Sequence, residues 1–91
     1  MNFQKQNLIE FSFTHHKNIF TLSIENLLND ISKSLHTKIK EKCLQFNIIV
    51  YEKNLKLYDI ENNVNINKYD DLLDYDTKKC RIIIVPIVLD E

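Results

Sequence analysis

The chain has 91 residues, enough for one domain around one modest core, and its 44% apolar content belongs to a folded globule and not to a disordered segment. Twelve basic and thirteen acidic residues are interleaved and leave a formal charge of −1, which argues against a nucleic-acid binder, since such a protein needs a clustered basic face. There is no glycine, and this excludes a phosphate-cradling loop, a dinucleotide fingerprint and a nucleophile elbow, all of which need glycine for close backbone approach.

Residues 8–13 alternate, with Ile9, Phe11 and Phe13 on one side and Leu8, Glu10 and Ser12 on the other. Period two predicts a half-buried strand. The polar run 14–18 is a turn, and residues 19–23 resume the alternation, so a hairpin is expected. Ser23 is a candidate N-cap. Ile24, Leu27, Leu28, Ile31, Leu35 and Ile39 then recur at steps of three and four, which predicts one apolar stripe on a helix. Continuity of that helix to Cys43, against a break near His36 and Thr37, is left open.

Residues 46–51 are dense in β-branched side chains and predict a third strand. Glu52, Lys53 and Asn54 read as a turn, residues 55–58 as a short strand, and the Asn-rich stretch 59–68 as a loop. Residues 69–73 fit one helical turn, and 74–79 turn the chain. Residues 81–89 are apolar at nearly every position, the mark of a central strand covered on both faces. Pro86 donates no ladder hydrogen bond, so pairing is expected to weaken there.

The order strand, strand, helix, strand, short strand, helical turn, strand predicts an α+β fold. It consists of a mixed four- to five-stranded sheet packed on one main helix, with the last strand central beside the first. One domain over 1–91 is expected, with flexible or partner-ordered ends at 1–6 and 87–91.

That order resembles the ubiquitin-like β-grasp over nearly the whole chain: the hairpin of 8–22, the helix from Ser23, residues 46–57, the turn at Tyr69, Asp70, Asp71 and Leu72, and the strand from Arg81. Within that fold the stretch 7–14, and 46–51 followed by Glu52, Lys53 and Asn54, are similar to the YukD/EsaB accessory proteins of type VII secretion. Ubiquitin and the sulfur carriers act through a Gly-Gly tail that this sequence does not carry. The resemblance to the YukD/EsaB group therefore implies a non-catalytic, non-conjugating binding module docked on a larger protein complex or secretion component. The end strand around Ile82–Pro86 also resembles the ubiquitin-like part of lambda-type phage tail assembly proteins. The alternative it implies is a structural protein of a tail tip, or a scaffold subunit of another multiprotein complex.

Candidate chemistry is sparse. Adjacent His15 and His16, distant His36 and the separated Cys43 and Cys80 lack metal-ligand spacing, and the acids around Asp59–Asp76 lack the turn glycine of a calcium loop. No catalytic residue, metal or cofactor is assigned, and neither a small-molecule substrate nor a nucleic acid is expected. Residues 1–6 are polar and 82–89 too short to span a bilayer, so the expectation is a cytoplasmic protein without membrane insertion. One feature points outward. If Ile82 and Ile84 face the helix, Ile83 and Val85 face away, as do Ile49, Tyr51 and Leu8. These five, Leu8, Ile49, Tyr51, Ile83 and Val85, are the predicted protein-binding residues, forming an apolar patch on the uncovered sheet face.

Overall fold

The computed structural model describes residues 8–85. Strand β1 (Leu8–Phe13) and β2 (Ile19–Ser23) form an antiparallel hairpin in which Phe11 pairs with Phe20. Helix α1 (Ile24–Leu28) starts at the Ser23 hydroxyl, which accepts from the Asn26 main-chain N–H. Helix α2 (Leu35–Gln45) follows, then a turn of 3-10 helix (Glu52–Asn54), β3 (Leu55–Asp59), β4 (Val64–Ile66), α3 (Tyr69–Asp74) and β5 (Lys79–Ile84). The fold is α+β with a five-stranded mixed sheet ordered β2-β1-β5-β3-β4. β5 is central, parallel to β1 and antiparallel to β3, as its apolar sequence predicts.

Three expectations are corrected. The stripe from Ile24 to Ile39 is not one helix. Asp30 accepts hydrogen bonds from both the N–H and the hydroxyl of Ser32, and Ser34 caps a new helix by accepting from the Thr37 N–H. These short polar side chains compete for backbone groups and break the helix, leaving Ile31 68% exposed. Lys38 closes the break. Its Nζ donates to the Leu27 carbonyl at 2.5 Å and lies 5.1 Å from the Tyr69 ring centroid, while the Tyr69 hydroxyl donates to the Lys33 carbonyl at 2.6 Å. The separate pieces thus act as one helical layer.

Second, residues 46–51 are not a strand. Phe46 caps α2 and residues 48–51 run without a ladder partner among the described residues, although their burial alternates as predicted. Third, the Asn-rich loop contains β4, paired through Leu57 with Ile66 and Asp59 with Val64. The turn between β3 and β4 closes with Asn63 at φ 56°, its N–H donating to the Asp59 carbonyl at 2.9 Å. β5 ends at Ile84 and Val85 follows it outside the strand, while residues 86–89 of the strand expected to Leu89, Pro86 included, and the two expected chain ends lie outside the described residues.

The helices cover one sheet face. Ile9, Phe11, Leu57, Ile66 and Ile82 from the sheet meet Leu27, Leu35, Ile39, Cys43 and Leu72 from the helices, all nearly or wholly buried. Phe20 is stacked on Phe11 at 5.2 Å and on Phe46 at 5.6 Å, which ties the hairpin to the end of α2. At about 1.5–3 kcal/mol per fully buried large apolar side chain, this core is the main term opposing chain entropy.

Candidate protein-binding surface

The register fixes what the sheet face away from the helices presents. Outward on β1 are Leu8, Glu10 and Ser12, and Glu10 is paired with Lys79 and Ser12 with Arg81 on β5. On the other side of β5, Ile83 sits opposite Lys56 and Arg81 opposite Tyr58. Over β1, β3 and β5 the face is therefore charged and mixed: Glu10, Ser12, Lys56, Tyr58, Lys79 and Arg81 share it with only two aliphatic side chains, Leu8 and Ile83.

The five predicted residues do not share one surface. Leu8 and Ile83 lie at opposite ends of their strands, about six residues apart in register and so about 20 Å. Leu8 is exposed and Ile83 half-buried. Val85 is half-buried and extends the β3–β5 ladder, its N–H donating to the Asn54 carbonyl at 2.7 Å while the Asn54 side-chain amide donates to the Val85 carbonyl at 2.8 Å. Ile49 and Tyr51 are strongly exposed but lie outside the sheet, on the segment after α2.

What places Ile49 is the end of α2. The Ile48 N–H donates to the Cys43 carbonyl at 3.0 Å and the Asn47 N–H to the Leu44 carbonyl at 2.9 Å. Asn47 has φ 62°. This pair of bonds around a left-handed residue is a Schellman C-cap. The left-handed seat usually belongs to glycine, and asparagine is the side chain that tolerates it best after glycine. The cap reverses the chain so that residues 48–50 run back beside α2. Ile48 and Val50 turn into the core, at 8% and 4% exposure, and Ile49 turns out, at 81%. Beside it is Leu44, 59% exposed. A groove of about 140 Å³ lies between them, walled by Lys40, Glu41, Leu44, Ile48, Ile49 and Val50.

Leu44 went unrecognised in the sequence. It falls one residue beyond Cys43, off the Leu35–Ile39–Cys43 face, and this offset is legible only once α2 is known to run to Gln45.

Elsewhere the candidate chemical groups stay apart. His15 and His16 are exposed on the hairpin turn, and no cluster of three or more metal-ligating side chains forms among the described residues. Cys43 and Cys80 are free and buried, and burial pushes their thiols up to about 11 and about 12. Such thiols are poor nucleophiles at neutral pH. His36, half-buried, has its pKa lowered by burial, partly opposed by the Glu52 carboxylate. No helix among the described residues is long and apolar enough to cross a membrane.

No protein-family model, curated protein or solved structure matches this chain.

Proposed function

We propose that the protein is a non-catalytic, ubiquitin-like binding module that docks onto a larger protein assembly. The sheet order, with β5 parallel to β1 at the centre and helices on one face, supports reading the fold as a β-grasp. Docking is carried by one observation. Leu44 and Ile49 stand side by side, each more than half exposed, over an apolar groove on a firmly capped helix end. Adjacent large apolar side chains on a rigid support are the usual anchors of a protein interface. Of the residues predicted from sequence, Ile49 belongs to this surface.

The assembly we propose is a type VII secretion machine, with the chain as a cytosolic accessory of the YukD/EsaB kind. The support is the resemblance of residues 7–14 and 46–54 together with the strand order. Affinity purification of the tagged chain from its source cells, followed by mass spectrometry, tests both levels. The expected result is a secretion ATPase or its substrates, captured by the native chain and lost from Leu44→Asp and Ile49→Asp variants. Recovery of tail proteins would replace the secretion assignment. Undiminished capture by both variants would remove this surface from the interface.

A further inference from the structure

A second cavity, of about 260 Å³, lies at the opposite edge of the sheet, in the notch left where three-residue β4 stops short of five-residue β3. Its polar lining is His36, Lys53, Lys56, Asn65 and Asn67, over the buried Leu55 and Leu57. No carboxylate is among these lining residues, in a chain where acids outnumber bases. The two neighbouring acids already accept hydrogen bonds. Glu52 accepts from the Thr37 hydroxyl, and Asp71 accepts from the main-chain N–H groups of Asn67 and Lys68.

We infer that this notch is an oxyanion site whose ligand is a phosphate monoester. Its donors come from different elements: His36 from the first turn of α2, Lys53 from the 3-10 turn, Lys56 from β3, and Asn65 and Asn67 from and just after β4. Ammonium and carboxamide donors that line one notch from several elements suit a tetrahedral anion, which has acceptors on every side. A planar carboxylate is better matched by the guanidinium fork of arginine, and no arginine lines the notch. The partial positive charge at the start of the eleven-residue α2 adds to the field at His36. The neutral ring of His36 still donates one N–H; the Glu52 carboxylate is the charge that acts on it, and Lys53 and Lys56 line the same notch. The site needs no glycine-rich loop, because side chains supply the donors. It is separate from the Leu44–Ile49 groove and stands or falls independently of it.

The test is an NMR titration of the isotope-labelled chain with inorganic phosphate, a phosphoserine peptide, its unphosphorylated form, and glycerol phosphate. Shifts confined to His36, Lys53, Lys56, Asn65 and Asn67 are expected, with none from the unphosphorylated peptide. Lys53→Gln/Lys56→Gln should weaken binding about tenfold or more, since bonds to charged groups are the strong ones. Lys17→Gln/Lys78→Gln, which makes the same change in net charge, should leave it unaltered. Sulfate, whose charge is constant over the range, should raise the pKa of His36. A phosphopeptide that binds more tightly than glycerol phosphate identifies a phosphorylated side chain as the source, and equal binding identifies a free ester. Absence of shifts at about 10 mM, well above a Kd of about 1 mM, would overturn the site. So would equal weakening in the two double variants.

Discussion

Thr77 donates its hydroxyl to the Asp59 carboxylate at 2.7 Å, and both side chains are shut away from water. The same carboxylate accepts from the main-chain N–H groups of Glu61 and Asn62 at 3.0 and 3.1 Å, and from the Asn62 side-chain amide at 2.8 Å. Asn62 in turn donates to the Tyr75 carbonyl at 2.7 Å. A single buried carboxylate thus fastens the β3–β4 turn to the loop that leads into β5.

Replacing Asp59 with Ala would leave the Thr77 hydroxyl and two main-chain N–H groups without their acceptor. An unsatisfied buried hydroxyl such as that of Thr77 costs about 1–3 kcal/mol and the two part-buried N–H groups add less, so Asp59→Ala should lower the urea-unfolding free energy by about 2 kcal/mol. The pH dependence has a definite sign. Burial raises the Asp59 pKa, but the hydrogen bonds from Asn62, Thr77 and Glu61 outweigh it and hold the folded value below the ordinary carboxylate range. A depressed folded pKa stabilises above the unfolded pKa, about 3.9, and that stability is lost as pH falls through the folded value. Unfolding midpoints should therefore drop as the pH falls below about 4, and Asp59→Asn should flatten that drop. An unchanged slope in Asp59→Asn would show that other carboxylates control it.

Cys43 and Cys80 should be silent to thiol reagents in the native state. Both are wholly buried, with pKa values pushed up by burial to about 11 and about 12. Attack requires an exposed thiolate, so labelling should proceed only through opening of the core. The rate in native buffer should be orders of magnitude below that in urea, and Asp59→Ala should accelerate it. Rapid native labelling of either cysteine would mean that the core opens far more readily than its packing implies.

The central placement of β5, the hairpin and the inward set Ile9, Phe11, Phe20 and Ile82 were legible in the sequence, because a strand's two faces are written directly in its alternation. The helix break was less legible. Ile31 keeps the helical spacing, and only the Asp30–Ser32 turn and the Ser34 cap, both local hydrogen-bond choices, divide the stripe. Residues 48–51 alternate like a strand because they lie extended over the core. Whether an extended segment finds a ladder partner is a tertiary fact that alternation does not encode. The expected five-residue patch is dispersed for that reason: Ile49 does face outward, but from a segment that does not join the sheet.

The left-handed positions Asn47, Asn63 and Asp76 carry the turns of a chain without glycine. Asp76 repeats the geometry of Asn47 at the end of α3, with the Thr77 N–H donating to the Leu72 carbonyl and the Asp76 N–H to the Leu73 carbonyl. Asn47→Ala should destabilise by about 1 kcal/mol, since a Cβ without a local polar partner disfavours this region, while Asn47→Gly should hold or gain stability. Thermal melts of the two variants check this. Equal destabilisation by both would mean that the Asn47 side chain, and not its backbone angle, is what matters.

The last prediction separates core from surface along the apolar runs 48–50 and 82–84. Ile82, 1% exposed and paired with Phe13 and Leu57, should cost about 2–5 kcal/mol on truncation to Ala, through lost burial and the cavity left behind. Ile49→Asp should change stability by no more than about 0.5 kcal/mol, because its side chain is already in water. Ile83→Asp lies between them: the side chain is half-buried on the face away from the helices, but Lys56 stands directly opposite, so the new acid meets a base and the fold should survive with a modest loss. Melting and capture of the assembly by each variant distinguish the two surfaces. If capture fails for Ile49→Asp and persists for Ile83→Asp, the partner sits on the α2 end. If the reverse holds, the partner lies across β5 and β3, where Lys56 and Arg81 would supply the charge around a smaller apolar centre. If Ile49→Asp unfolds the domain as Ile82→Ala weakens it, the segment after α2 is core and the groove is no docking surface.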